Sequence, residues 1–161
     1  MEVSVGHGTN AKMSEYAAAV GLAQLQRWPQ LLQRRREVFD DYRGRLAALP
    51  QVGLQPLEMP PATLCVQLPA DATAVAAGLA RAEIETRRWY LPPLNRHPAF
   101  RELRCLGPDS GARLPVTERL ATSLLGLPLH SRLTSDDVTT VVQALAAQLA
   151  APESAPMTTG R

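Results

Sequence analysis

GTNAKMSEYAAAVGLAQL, residues Gly8–Leu25, is a polar turn that runs straight into an Ala-rich helix. Glycine admits positive φ and asparagine tolerates it better than most residues, so Gly8-Thr9-Asn10 reads as loop. Ser14 follows as an N-cap whose hydroxyl oxygen can accept a first-turn amide. Ala17, Ala18, Ala19, Leu22, Ala23 and Leu25 are small or helix-favouring and leave room for another backbone to come close. By itself the stretch is a capped core helix behind a turn.

Outward from it, Ala18, Leu22, Leu25, Trp28, Leu32, Phe39, Tyr42, Leu46 and Leu49 recur at intervals of three or four, with one gap near Arg35. That is one helical stripe. Pro29 interrupts it, because proline lacks the N–H and crowds the preceding turn. The reading is therefore two helices, Ser14–Arg27 and Pro29–Leu49. Gln33–Arg36 (QRRR), followed by Glu37, Asp40 and Asp41, reads as a solvated helix face rather than a nucleic-acid patch. Upstream, Met1–His7 resembles the tail end of a strand.

Beyond Pro50, Val52–Leu57 and Thr63–Leu68 read as short strands. Asp71 caps a helix over Ala72–Ala82, with Val75 and Leu79 inward. Ile84–Tyr90 is a further strand candidate. Leu91–Pro98 (LPPLNRHP) is excluded from helix and central strand by its prolines. A short helix is expected at Ala99–Cys105, a polar loop at Gly107–Arg113, and a helix from Pro115 to about Leu125. Leu127–His130 is an apolar run ending in a turn. Thr134-Ser135-Asp136-Asp137 starts a closing amphipathic helix through Val138, Val141, Val142, Leu145 and Leu149. Ala150–Arg161 is a polar tail expected to be disordered. The fold class is α+β with a small sheet. The division is 1–49 for turn and long helices, 50–149 for a small domain and 150–161 for the tail.

The 161 residues are 45% hydrophobic and 20% charged, enough for one real core. A net charge of +2 argues for neither nucleic acid nor an anionic membrane. No apolar run could span a bilayer and the start lacks a signal-peptide layout, so a cytoplasmic protein is expected. Cys65 and Cys105 then default to reduced, buried thiols, with a disulfide between them the unsupported alternative. Lys12 is the only lysine in the sequence. His7, His97 and His130 stand singly, so no metal site is expected. No Gly-x-Ser-x-Gly elbow and no phosphate-binding glycine loop is present. Spacing alone yields no catalytic residue.

Three segments in order resemble the C-terminal part of the DegT-type nucleotide-sugar aminotransferases, pyridoxal-phosphate enzymes of the aspartate-aminotransferase fold. GTNAKMSEYAAAVGLAQL resembles that family's Gly-x-Asn-x-(Arg/Lys)-Met-x-Glu turn and Ala-rich helix. IETRRWYLPPLNRHPAF is similar to its Ile-x-Thr-Arg-x-x-Tyr-x-Pro-Pro-Leu-His segment. LPVTERLATSLLGLPLHSRLTSDDVTTVV matches its Pro-x-x-Glu helix, Leu-Pro-Leu-His turn and closing helix. Together they cover nearly the whole chain.

The resemblance implies the small C-terminal domain of a fold-type I transferase, preceded by the long interdomain helices, with the large domain absent from these residues. It implies a homodimer that moves an amino group from an amino-acid donor to a keto-sugar nucleotide, using pyridoxal 5'-phosphate. Asn10 would reach the partner's cofactor phosphate, with Lys12 beside it. Tyr90 and Asn95, around the Pro92-Pro93-Leu94 turn, would border the substrate. The Schiff-base lysine belongs to the family's large domain, so the chain is expected to be inactive alone. A related dehydratase, or a non-enzymatic module docking through its Ala-rich helix, are the alternatives. Two positions depart from the pattern. Asn95 replaces the family's histidine. Glu83 replaces a glycine, which costs roughly 1 kcal/mol if the position is left-handed.

Overall fold

The computed structural model describes residues 12–89, 91–100 and 114–150. The expectations for Met1–His7, Gly8–Asn10, Tyr90, Cys105, Gly107–Arg113 and the tail beyond Ala150 lie outside the described residues. The remaining elements run α1 (Glu15–Leu46), β1 (Gly53–Leu54), β2 (Leu64–Gln67), α2 (Ala72–Arg81), two 3-10 turns (Leu94–Arg96 and Pro98–Phe100), α3 (Pro115–Ser123), β3 (Leu124–Leu127) and α4 (Ser135–Ala150).

The α+β class holds. The sheet is antiparallel in the order β1-β2-β3. Leu64 pairs with Leu127 and Val66 with Leu125, and all four side chains are buried. Alternation puts them on one face, where they meet Phe39 and Tyr42 of α1, Leu79 of α2 and Leu145 of α4 in one core. Removing each such side chain from water contributes about 1.5–3 kcal/mol.

The two helices expected on either side of Pro29 are one helix of 32 residues. Ser14 caps it as expected, its Oγ accepting from the Ala17 amide at 3.2 Å. A proline inside a helix costs the bond to the carbonyl four residues back. Here the stretch around Pro29 is exposed, so that carbonyl can turn to water instead. The stripe also divides. Val38, Phe39, Tyr42 and Leu46 are buried, whereas Met13, Tyr16, Val20, Leu22, Leu25 and Trp28 are exposed.

The solvated face expected over Gln33–Arg36 is only partly solvated. Arg35 is half-buried and donates to the carbonyls of Leu129 at 3.1 Å, Pro61 at 2.5 Å and Ala62 at 3.3 Å. Arg34 reaches the Leu133 carbonyl at 2.9 Å while keeping Glu37. These cations fasten α1 to the loops before β2 and after β3. Further along, Asp41 accepts from Arg45 at 2.7 Å and from Ser135 at 2.7 Å, tying α1 to the start of α4.

The strands are shorter than expected. β1 stops at Leu54 instead of Leu57, with Pro56 unable to donate to a ladder. The helix expected to reach Leu125 ends at Ser123, and Leu124 turns extended to open β3. Among the described residues of the strand expected over Ile84–Tyr90 there is a single rung, Arg87 against Gly126. Its two bonds are 2.9 and 2.7 Å. Both neighbouring rungs are blocked: the Leu124 amide is already given to the Leu120 carbonyl, and Pro128 has no N–H. At Gly126 an added Cβ would stand 3.1 Å from the Arg87 carbonyl oxygen, so the rung needs glycine.

Two helix ends follow the sequence closely. At α4, Thr134 and Asp137 cap each other, the Thr134 amide and hydroxyl donating to Asp137 Oδ2 at 2.8 Å and the Asp137 amide returning to Thr134 Oγ1 at 3.2 Å. The Thr134 amide, then its hydroxyl, hold the Asp137 carboxyl below its usual range. At the end of α2, the Ile84 amide bonds the Leu79 carbonyl and the Glu83 amide that of Ala80. That is a Schellman closure with Glu83 in the left-handed position, φ 59°. The sequence expectation of strain there holds. Glu83→Gly is expected to raise the unfolding free energy by about 1 kcal/mol, seen as a higher urea midpoint at unchanged slope. An unchanged or lower midpoint would count against strain at this residue.

Tyr42 is fully buried and its hydroxyl has no hydrogen-bond partner among the described residues. Burial, then the charges of Asp137 and Asp41, push its ionisation far up, so the group is a neutral, unsatisfied phenol. An unpaired buried hydroxyl costs about 1–3 kcal/mol. Tyr42→Phe is therefore expected to stabilise the fold by about 1 kcal/mol in equilibrium unfolding. A loss of stability would show that the hydroxyl is satisfied in solution.

Candidate functional site

The rung at Arg87–Gly126 fixes where the segment Arg88–Asn95 goes. Arg88 then reaches over the first turn of α2 and the end of α3, donating to Thr73 Oγ1 and to the Ala121 carbonyl, both at 2.7 Å. Asp71 lies 4.0 Å from the same guanidinium. The Thr73 amide, then its hydroxyl, and also this cation, keep the Asp71 carboxyl below its ordinary value. Further on, Arg96 of the 3-10 turn grips Glu118 in the first turn of α3. Nε donates to Oε1 at 2.9 Å, and a second bond joins the other nitrogen to Oε2. Planar guanidinium and carboxylate suit such two-point pairing. The turn is closed internally by His97 Nε2 against the Pro92 carbonyl at 3.0 Å.

Two arginines thus clasp α3 at its opposite ends, and a pocket of about 360 Å3 opens between the clasps. Its walls include Trp89, Pro93, Leu94, Leu120 and Leu124, with Asn95 and Thr117 as polar members. On the other side of Trp89 lies a wider groove of about 620 Å3, lined by Arg87, Glu83, Asp137 and His130 among others. Arg87 pairs with Glu85 at 2.6 Å, and both are well exposed.

Of the residues singled out in the sequence, Asn95 is half-buried in the smaller pocket. Lys12 is exposed just before α1 and lines none of these cavities. Asn10 and Tyr90 lie outside the described residues. A pyridoxal phosphate needs converging donors around its phosphate and a wall for its ring. The lone exposed Lys12 supplies neither, so the described residues by themselves do not fit the cofactor. Among the described residues no group of His, Cys, Asp and Glu could hold a metal. No described helix is long and apolar enough to cross a membrane. Cys65 is a free, half-buried thiol whose ionisation burial pushes up.

Sequence reasoning did not single out Arg88, Arg96 and Glu118. The available signal was weak: arginines in LPPLNRHP and IETRRWY and a glutamate in Pro-x-x-Glu, with nothing in the spacing to say that they meet. Their meeting joins the second quoted segment to the third.

The model of the DegT/DnrJ/EryC1/StrS aminotransferase family matches residues 1–146. Protein Rv3402c of Mycobacterium tuberculosis is 34% identical over 145 residues, covering 88% of this chain and 35% of that protein. The dTDP-4-dehydro-2,3,6-trideoxy-D-glucose 4-aminotransferase of Saccharopolyspora spinosa is 32% identical over 135 residues, 80% of this chain and 32% of the enzyme. The crystal structure of the aminotransferase TlmJ from Streptoalloteichus hindustanus superposes with a TM-score of 0.73 at 30% identity, covering 91% of this chain and 39% of that one. The chain spans about a third of the length of these curated relatives.

Proposed function

The chain belongs to the DegT/DnrJ/EryC1/StrS aminotransferase family, and from that premise we propose that it forms the C-terminal small-domain part of a pyridoxal-phosphate-dependent aminotransferase acting on a keto-sugar nucleotide. The observation that carries this reading is the clasped pocket: Arg96 and Glu118 bring two of the family-like segments together around Asn95. In this reading residues 1–49 form the turn and arm, and 50–149 the small domain. Asn10 and Lys12 face the partner subunit's cofactor phosphate in a homodimer. Tyr90 and Asn95 border the nucleotide sugar. An amino acid supplies the nitrogen. Cofactor binding is a family trait, and the Schiff-base lysine is assigned to the large domain, because Lys12 is the only lysine here.

The test is a segment exchange. This chain replaces the matching third of the Saccharopolyspora spinosa enzyme, and amino-sugar formation from that enzyme's own substrate is followed. Donor-dependent product supports the reading. A folded, cofactor-loaded exchange enzyme without product would sink it. Separately, the chain alone mixed with pyridoxal phosphate should yield no stoichiometric, borohydride-trapped adduct. An adduct on Lys12 would overturn the assignment of the lysine to the large domain.

A second reading, a protein-interaction module, draws on one observation: the first half of α1 exposes Tyr16, Val20, Leu22, Leu25 and Trp28. Apolar residues on every side of a helix call for cover. Light scattering separates the two. A clean monomer counts against an interaction module that must bury this stretch to stay soluble.

A further inference from the structure

We propose that the pocket between the two arginine clasps is the subsite for the heteroaromatic base of the nucleotide, with Asn95 reading the base edge. The assignment rests on the nucleotide-sugar reading and divides that substrate by its chemistry. A nucleotide sugar offers three parts: a base, a pyrophosphate and a sugar ring. A pyrophosphate needs cations, yet among the described residues none that lines this pocket is charged. The arginines that bracket it are already spent, Arg88 on Thr73 and Ala121 and Arg96 on Glu118. A hexose ring presents hydroxyls around its whole rim, and buried hydroxyls left unpaired are costly. Among the described residues the lining offers Asn95 and Thr117 to meet them, besides the Trp89 indole.

A base is the part that matches. Its two flat faces are apolar and suit Leu94, Leu120, Leu124, Pro93 and the Trp89 ring. Stacking of a base on an aromatic ring is worth about 1–3 kcal/mol where it has been measured. Its edge carries a donor and an acceptor side by side, as N3–H and O4 do in thymine and uracil. A side-chain amide offers the complementary pair. The Asn95 amide has no hydrogen-bond partner among the described residues and is half-buried in the lining. An imidazole at this position would offer one donor and one acceptor on opposite sides of its ring, a poorer match to such an edge. The clasps also keep both walls in place before any ligand arrives, which lowers the ordering cost of binding.

The experiment uses the 161-residue chain with Trp28→Phe, which leaves Trp89 as its one tryptophan. Thymidine and uridine are titrated against Trp89 fluorescence and the Asn95 side-chain amide resonance, with glucose 1-phosphate as the sugar-phosphate arm. Saturable change with the nucleosides and none with the sugar phosphate is expected. Asn95→Leu, which keeps the volume and removes the amide, should weaken thymidine by about tenfold. Silent signals with both nucleosides, or an equal response to glucose 1-phosphate, would overturn the base subsite. In the segment-exchange enzyme Asn95→Leu should raise KM for the nucleotide sugar by about tenfold with kcat unchanged. Turnover there with KM unmoved overturns the subsite and leaves the aminotransferase reading standing. Thymidine binding at Trp89 in the chain, with an exchange enzyme that makes no product, does the reverse.

Discussion

Arg35→Met lowers the unfolding free energy by about 3 kcal/mol, while Arg36→Met changes it by no more than about 0.5 kcal/mol. The two residues are neighbours on one helix and carry the same charge. Arg35 is half-buried and spreads its guanidinium over the carbonyls of Leu129, Pro61 and Ala62. Methionine keeps most of the stem but leaves those carbonyls without their donor. Hydrogen bonds to a charged group are each worth about 1.5–3 kcal/mol net, so losing a forked set exceeds an ordinary surface change severalfold. Arg36 is exposed and donates to the sulfur of Met59. Paired urea unfolding curves measure the difference. Equal midpoints for the two variants would show that water replaces Arg35 at no cost.

Gly126→Val is expected to cost about 3 kcal/mol and, in the same sample, to shift the Trp89 fluorescence towards that of a solvent-exposed indole. A Cβ at this residue would sit 3.1 Å from the Arg87 carbonyl oxygen and 3.2 Å from Thr63 Cγ2. Neither the backbone of Arg87 nor the branched Thr63 can retreat without opening the rung. Since that rung is the only ladder contact among the segment's described residues, both of its bonds go together. Trp89, two residues on, separates the two cavities, so the optical change reports the site as well as the fold. A destabilised variant with an unmoved Trp89 spectrum would mean that the clasps on α3 hold the segment without the sheet.

Much of this was legible in the residues. The caps of α1, α2 and α4 follow from Ser14, Asp71 and the Thr134–Asp137 pair, because a cap is a local event between residues two or three apart. The left-handed Glu83 was legible through the glycine expected there. Pro29 misled, since a proline's cost depends on whether the carbonyl it orphans can reach water, and that is decided by tertiary exposure. Ile84–Tyr90 misled for a related reason. Its own alternation suits a strand, but the length of a ladder is set equally by the partner, and β3 offers one usable rung. Arg35, Arg88 and Arg96 were unreadable because their partners are carbonyls, a hydroxyl and a carboxylate 15 to 94 positions away in sequence. Asn95 and Tyr90 were named through the family-like segment alone. Asn95 proves to share its pocket with Leu120 and Leu124, residues that periodicity marks only as helix.

The long α1 also acts as a lever. Its second half is seated in the core from Val38 onward, and its first half projects free of the other described elements. At 1.5 Å per residue, roughly 35 Å of rod separates Val38 from Glu15, so a tilt of about 5° at the seat displaces the Lys12 end by about 3 Å. Small repacking around Phe39 or Tyr42 is therefore magnified to more than a hydrogen-bond length at the far tip. Stiffness in the seat, including the Arg35 fork, sets how accurately that tip can be aimed.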